Sequence, residues 1–180
     1  EWLDDIRTET DTMTRLVNHL VQLARMDEGA RPQEPQPFSL SDVVSEMGEA
    51  FAPVMEQSGL TFTQEVATGV SLNGDEQAIR QLIGILLDNA CKYCAPGGTI
   101  ALRLNGGRHP QLTLDNTYAN AERIDTSRLF DRFYREDRAR TSGSGFGLGL
   151  SIAKATCERH HASIAAQAIA EDTIRFKVRF

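Results

Sequence analysis

Apolar residues recur at three- and four-residue steps between positions 75 and 93, which predicts an α-helix with one wide apolar face. Asp75 is expected to cap this helix, because its carboxylate can accept the free amides of the first turn. Asn89 falls at the border of the apolar face, and Ile85 and Lys92 share its flank. The apolar positions are Ile79, Leu82, Ile83, Leu86, Leu87, Ala90, Tyr93 and Cys94.

This flank has two interpretations. An asparagine oxygen is a hard ligand suited to magnesium, and a lysine one turn further on can meet a phosphate. Alternatively, Asn89 caps a neighbouring loop and Lys92 is a solvated charge. The helix pattern taken alone favours the second interpretation, because short local patterns often occur without function.

A separate helix is predicted at the start of the chain. Ile6, Met13 and Leu20 fall seven residues apart, and Leu16 and Leu23 form a second seam, as in a coiled coil or helical bundle. Such a helix needs partners to bury its apolar face. The proline-rich stretch GARPQEPQPF that follows is typical of an extended linker. We therefore predict a helix over 1–28, a linker over 29–38 and a globular domain over 39–180.

The rest of the chain predicts an α+β fold. Ser41 and Asp42 are expected to cap a second helix that ends at Gly59. Strands are predicted at LTFTQEV, TIALRL and QLTLDN, and the C-terminal stretch ASIAAQAIAEDTIRFKVRF is expected to form a final hairpin. This order favours a two-layer sandwich in which helices cover one face of a mixed or antiparallel sheet.

Glycines alternate through GSGFGLGL, and the pattern becomes helical from Leu148 onward. A glycine-rich loop that leads into a helix N-terminus can hold a phosphate, because its amides approach the anion closely and the helix dipole favours negative charge. A flexible linker is the alternative, but linkers rarely lead directly into an apolar helix. The phosphate interpretation is the stronger of the two.

Composition and charge argue against some classes of function. A net charge of −6 argues against nucleic-acid binding, because it leaves no basic excess. No apolar run approaches the roughly 20 residues that span a bilayer. The start at Glu1 suggests an excised piece, which leaves room for a membrane anchor upstream. Cys91 and Cys94 form a CxxC, for which packing is favoured over redox or metal chemistry.

Three stretches together resemble the ATP-binding catalytic domain of bacterial sensor histidine kinases, which share a superfamily with gyrase B and the mismatch-repair ATPases. ILLDNACKY is similar to the N box of that family, LFDRFYRED to the F box and GSGFGLGLSIAKA to the second glycine box. LVNHLVQLARMD resembles the second helix of the dimerisation and phospho-acceptor hairpin. The resemblance implies the Bergerat fold, a five-stranded mixed sheet with three helices on one face.

The resemblance also implies roles for individual residues toward ATP and Mg²⁺. Asn89 would bind magnesium, Lys92 would contact phosphate and Tyr93 would lie near the adenine. Phe130 and Phe133 would anchor the ATP lid. The residues expected to reach or line the phosphates are Arg135, Gly145, Gly147 and Gly149, with Leu148 at the base of the pocket.

The chain departs from the family pattern at two positions. The first glycine box, DxGxG, is replaced by DNTYAN, in which Asn116 takes the place of the adenine-reading aspartate. Asp115 is one residue off and should point to the other sheet face. Asn116 lacks the charge that would strengthen a bond to adenine, so we expect weaker nucleotide affinity. Ile85 stands where related ATPases carry a water-activating glutamate. An isoleucine cannot act as a base, which disfavours hydrolysis and leaves transfer to an external nucleophile.

The function implied is the kinase core of a two-component sensor. It would transfer the γ-phosphate of ATP to a histidine for relay to a response-regulator aspartate, and no stretch here resembles the box that carries this histidine. The full-length protein would form a homodimer through the hairpin, and this chain would be the cytoplasmic portion of a cell-membrane sensor. The alternatives are an ATPase or serine-directed kinase of the same superfamily, or a non-catalytic interaction module.

Overall fold

The computed structural model describes residues 35–135 and 146–180 continuously, and eight single positions before them: 2, 6, 10, 13, 14, 17, 21 and 24. Two continuous segments carry three helices and seven strands. In chain order the elements are β1 Gln36–Ser39, α1 Leu40–Gln57, β2 Thr61–Val66, β3 Ser71–Gly74, α2 Glu76–Tyr93, β4 Thr99–Asn105, β5 Gln111–Thr117, a 3-10 helix Ala121–Arg123, α3 Gly149–Arg159, β6 Ser163–Ala170 and β7 Thr173–Arg179.

The main sheet has five strands in the order β2-β4-β5-β7-β6. β2 and β4 run parallel, and the other neighbours are antiparallel, so the sheet is mixed. Its inward apolar side chains form one core with those of the three helices. The α+β two-layer fold predicted from the sequence is therefore confirmed.

Successive side chains of β5 point to opposite faces of the sheet, and the two faces have different surroundings. Leu112, Leu114 and Asn116 are buried on the face that the helices cover. Asp115 lies on the opposite face, where its carboxylate accepts hydrogen bonds from Arg103 and Arg175. The prediction that Asp115 and Asn116 serve different faces is thus correct.

The start of the globular part differs from the prediction. β1 lies largely inside the predicted linker and pairs antiparallel with β3, with Phe38 opposite Leu72. Ser39, rather than Ser41 or Asp42, caps α1 by accepting from the Asp42 amide at 3.2 Å. Ser41 is buried, so its hydroxyl bonds the neighbouring turn instead, donating to the Ala67 carbonyl at 2.6 Å and accepting from the Val70 amide at 2.9 Å.

Helix α2 forms as predicted. Oδ1 of Asp75 accepts from the Ala78 amide at 3.0 Å, which confirms the cap. Sequence reasoning missed a second contact at this end: Nε2 of His160 accepts from the Asp75 amide at 3.0 Å. A Cβ on Gly74 would lie 2.7 Å from the His160 ring, so a glycine is needed there. This contact joins the start of α2 to the end of α3.

The described positions before residue 35 are helical. Ile6, Met13 and Val17 are 48%, 61% and 56% exposed. Leu16, Leu20 and Leu23 lie outside the described residues, as does the linker before residue 35. In the part of the chain that the structure describes, no helix has the length and apolar character needed to cross a membrane.

Candidate functional site

The polar flank of α2 lies where the sequence predicted it. Asn89 and Tyr93 are half-buried, and Tyr93 is the last residue of the helix. Lys92 is not a simple solvated charge, because its ammonium pairs with the Asp88 carboxylate one turn earlier. An anion that bound at this flank would compete with Asp88 for Lys92. Sequence reasoning missed Asp88, although the four-residue spacing of opposite charges is a recognisable signal.

The start of α3 packs against the same flank. A Cβ on Gly149 would lie 3.3 Å from Cγ2 of Ile85, so only a residue without a side chain fits there easily. Ile85 also packs with Leu148, Ile152 and Phe146 in a small apolar cluster. Because Ile85 and Asn89 are four residues apart on one helix flank, this contact brings Asn89 toward the N-terminus of α3.

A tight turn leads into α3. Gly147 has φ of 68°, and its carbonyl accepts from the Phe133 amide at 2.9 Å. A Cβ on Gly147 would lie 2.6 Å from the Tyr134 carbonyl oxygen, so this position requires glycine on two counts. Leu148 is 1% exposed and accepts the first bond of α3, from Ile152 at 3.0 Å. The amides of the first turn have no acceptor within the helix and suit an anion.

Asn116 is the third component of the site. It is 2% exposed, and its Oδ1 is buried without a hydrogen-bond partner. Its Nδ2 donates a long bond of 3.4 Å to the Thr117 carbonyl. The residues beside it on the sheet, Ile100 and Ile174, are buried and apolar. A buried amide oxygen in such surroundings is costly unless a ligand supplies a donor.

Backbone contacts hold the end of α2 beside the end of β5. The Ala95 amide donates to the Thr117 carbonyl at 2.9 Å, and the Thr99 amide donates to Oγ1 of Thr117 at 3.0 Å. A Cβ on Gly98 would lie 2.9 Å from Cβ of Thr117, so this approach also depends on a glycine. The last turn of α2, which carries Tyr93, is thereby placed next to Asn116.

The segment after β5 meets the prediction only in part. Phe130 packs edge-on against Phe176, with ring centroids 6.4 Å apart, and so anchors this segment to the core. The side chain of Phe133 is 62% exposed, so it does not anchor this segment to the core, and its backbone adopts φ of 63°. Arg135 is half-buried. Gly145 lies outside the described residues.

The CxxC lies close to the site but lacks the features of an activated pair. Burial raises the pKa of the Cys91 thiol and that of the Cys94 thiol above the ordinary cysteine value. A redox or metal-binding thiol needs a lowered pKa instead. Cys94 follows the last residue of α2 as its C-cap, so only Cys91 lies within the helix. Both thiols pack against the core, as the sequence interpretation favoured.

A cavity of about 520 Å³ lies between part of the F-box stretch and one side of α3. None of the residues predicted to bind nucleotide lines this cavity, so the predicted site and the cavity are different places. Its lining residues are Phe130, Asp131, Arg132, Ser151, Lys154, Ala155, Glu158 and Arg159.

Comparison with known proteins settles the family. Residues 74–180, more than half of the 180-residue chain, match the family described as histidine kinase-, DNA gyrase B-, and HSP90-like ATPase. The chain belongs to this ATPase family. The matched range contains every residue predicted above to contact nucleotide.

Individual relatives of this ATPase-family chain are sensor kinases. The signal transduction histidine-protein kinase BaeS of Escherichia coli (strain K12) is 31% identical over 170 residues, which cover 92% of this chain and 36% of BaeS. The sensor protein DltS of Streptococcus agalactiae (serotype V) is 31% identical over 99% of this chain and 45% of its own length. The chain therefore spans less than half the length of the curated relatives it matches.

A solved structure has a similar fold. Full-length ShkA, crystallised in complex with AMPPNP, superposes with a TM-score of 0.85 at 19% identity, covering 99% of this chain and 37% of ShkA. At this identity the likeness shows the fold alone. With the relatives above, it confirms the resemblance to the catalytic domain of sensor histidine kinases that the three boxes indicated.

The donors on the flank of α2 fit a magnesium ion shared with a ligand. The described residues contain no group of three or more His, Cys, Asp or Glu side chains that could hold a metal ion. Magnesium commonly takes only one or two protein ligands and completes its shell with phosphate oxygens and water. A single half-buried amide oxygen, that of Asn89, is consistent with this type of site.

Proposed function

We propose that this chain is the ATP-binding catalytic core of a sensor histidine kinase. It transfers the γ-phosphate of ATP to a histidine outside this sequence, from which the phosphoryl group passes to a response-regulator aspartate. The family match supports this proposal, and the observation that carries it is the buried, unpartnered Oδ1 of Asn116 beside the end of α2. Gln64 Oε1 and Thr156 Oγ1 are also buried without a partner among the described residues, so it is the position of Asn116 beside the end of α2 that connects its oxygen with a ligand.

The base of the nucleotide lies between Asn116 and the last turn of α2. Oδ1 of Asn116 accepts a hydrogen bond from the exocyclic amino group of adenine. Tyr93, half-buried at the end of α2, contributes aromatic surface near the base. Because an amide carries no net charge, this bond is weaker than one made by a carboxylate.

The phosphates lie toward the N-terminus of α3. The amides of Gly147, Leu148 and Gly149 face them together with the positive end of the helix dipole. Lys92 exchanges its Asp88 partner for a phosphate oxygen. Arg135 approaches from the end of the F box, and Gly145, which is also predicted to line the phosphates, lies outside the described residues. The Asn89 oxygen binds magnesium, which when present neutralises phosphate charge.

Transfer is favoured over hydrolysis because Ile85 lies at the centre of the flank. Ile85 packs with Leu148 and Ile152, and this apolar cluster provides no base for water. Phosphoryl transfer depends mainly on positioning and charge neutralisation, so these residues need only hold the nucleotide for an incoming imidazole.

The wider assembly follows from the same proposal. The exposed apolar side chains of the first helix, including Ile6 and Met13, belong to a hairpin that dimerises the full-length protein. The relatives are named sensor proteins and kinases, which supports a response regulator as the partner. This chain is the cytoplasmic portion of a membrane sensor whose other segments precede it.

Autophosphorylation of the parent protein tests this function. With radiolabelled ATP and magnesium, label should appear on a histidine, stable to base and labile to acid. Asn89→Ala should abolish labelling, and Asn105→Ala, on the exposed end of β4, should leave it unchanged. Steady phosphate release without phosphohistidine would show an ATPase instead. No nucleotide binding at all would indicate an interaction module.

A further inference from the structure

Asn116 offers its ligand something that a carboxylate cannot. A carboxylate has acceptors only, whereas a carboxamide has an acceptor and a donor side by side. In this chain Asn116 is 2% exposed, and the acceptor of its side chain has no partner among the described residues. Its apolar neighbours Ile100 and Ile174 provide no competing polar group. The base that fills this place therefore meets a polar edge of mixed character.

Two purine edges match an amide equally well. A 6-aminopurine presents a donor at its exocyclic nitrogen and an acceptor at N1, which pair with Oδ1 and Nδ2 of an asparagine. A 6-oxopurine presents an acceptor at O6 and a donor at N1, which pair with the same two atoms after the amide turns over. Bidentate pairing of an amide with adenine is a known mode of base recognition, and the 6-oxo edge offers the same pair of groups in the opposite order. A carboxylate lacks the donor, so it accepts only one bond from either edge and its second oxygen opposes the acceptor of the purine.

Turning the amide over disturbs little in this structure. Among the described residues, the only hydrogen bond of the Asn116 side chain is that from Nδ2 to the Thr117 carbonyl, which is long at 3.4 Å. That carbonyl already accepts from the Ala95 amide at 2.9 Å, so it does not depend on Asn116. A weak bond to an already satisfied acceptor is a small barrier to either orientation.

On the basis of the proposed function, we infer that the nucleotide site accepts 6-oxopurine nucleotides as well as adenine nucleotides, because Asn116 can make two hydrogen bonds with either edge. A carboxylate at the same position would lose the second bond with both purines. Hypoxanthine and guanine share the 6-oxo edge, and hypoxanthine differs from adenine at that edge alone.

The test compares ADP and inosine diphosphate by calorimetry with magnesium. In the unaltered chain we expect dissociation constants within about tenfold of one another. Asn116→Asp should weaken both nucleotides to a similar extent, because a carboxylate accepts one bond from either edge and opposes the other acceptor of the purine. Asn116→Leu fits the apolar surroundings and should weaken both nucleotides by about tenfold, since it removes both bonds.

Each outcome decides one claim. If ADP binds but inosine diphosphate binds the unaltered chain about 100-fold more weakly, the breadth is overturned and the proposed function stands. Unchanged binding of both nucleotides in Asn116→Leu, in a variant with an unchanged circular dichroism spectrum, would also overturn it. If neither nucleotide binds the unaltered chain, the proposed function fails and this inference fails with it.

Discussion

Ile85 of α2 lies against Gly149 at the start of α3, and a Cβ on Gly149 would come within 3.3 Å of Cγ2 of Ile85. This contact sets the spacing between the polar flank of α2 and the N-terminus of α3. The site is therefore assembled by an apolar contact, while the polar groups that touch the ligand lie on either side of it. Changes at Ile85 or Gly149 should alter nucleotide binding without removing a polar group.

Gly149→Val should weaken ADP binding by about tenfold or more, because its branched side chain would collide with Ile85 and displace α3. The double variant Gly149→Val with Ile85→Ala should recover part of this loss, since the smaller residue makes room. Calorimetry on the two single variants and the double variant measures the coupling. Strict additivity of the two changes would show that this contact does not position the site.

Asp115→Asn should reduce stability but not nucleotide affinity. Asp115 accepts from Arg175 at 2.6 Å and from Arg103 at 2.9 Å, on the face away from the site. Because each arginine side chain is 36% exposed, we expect a loss of only about 1–2 kcal/mol in the free energy of unfolding. Urea unfolding and an ADP titration measure the two effects.

The control for this change is Asp131→Asn, which removes an exposed pair at 3.7 Å from Arg128 and should cost about 0–0.5 kcal/mol. A marked loss of ADP affinity in Asp115→Asn, in a folded variant, would mean that Asp115 reads the base. Asn116 would then lose the role assigned to it.

His160→Ala should destabilise the fold by about 1–3 kcal/mol, because the Asp75 amide loses its acceptor and the contact between α2 and α3 is lost. This contact is at the opposite end of α2 from Asn89, so ADP affinity should change by less than about twofold. His109→Ala, in the exposed loop between β4 and β5, is the matched control and should have no effect on unfolding. Equal midpoints for both variants would contradict the predicted role of His160.

The three cysteines should react slowly with Ellman's reagent in the folded chain. Burial raises the pKa of Cys157 to about 12 and also raises the pKa of Cys91 and of Cys94. A raised pKa lowers the thiolate fraction at any given pH below it, so reaction should accelerate only as the pH rises. Unfolding in urea should expose all three thiols to fast reaction. Rapid reaction of Cys91 or Cys94 in the folded chain near neutral pH would support a redox pair instead.

Local patterns predicted most of the fold. Helix α2 has both an apolar periodicity and a capping aspartate, and both signals lie within a few residues of one another. The final hairpin alternates through β6 and β7 and turns at Glu171 and Asp172, as expected. Signals of this kind depend on the backbone period alone, so they can be read without knowing what packs against the element.

The misses depend on contacts between distant parts of the chain. The prolines in and before β1 predict an extended linker, and only the pairing of β1 with β3 makes it a strand. The sequence predicts Ser41 as a cap of α1, but its hydroxyl is hydrogen-bonded to the Ala67 carbonyl and the Val70 amide. The contact from His160 to Asp75 spans 85 residues, and no local pattern announces it.

In the candidate site, too, local patterns could be predicted, while contacts between distant parts of the chain could not. Asn89 and Lys92 could be placed on one flank from helical spacing, and the glycine-led start of α3 was predicted from its sequence. The contact that joins these two parts, between Ile85 and Gly149, could not be read from either segment alone. Nor could the unpartnered state of Asn116, which depends on burial by the completed sheet.

The most direct measurement is a calorimetric titration of the chain with ADP, with and without magnesium, beside Asn89→Ala and its control Asn105→Ala. We predict magnesium-dependent binding that is lost in Asn89→Ala and retained in Asn105→Ala. This result would establish nucleotide binding at the flank of α2 and identify Asn89 as its magnesium ligand. Absence of binding to the unaltered chain at millimolar ADP would contradict the account.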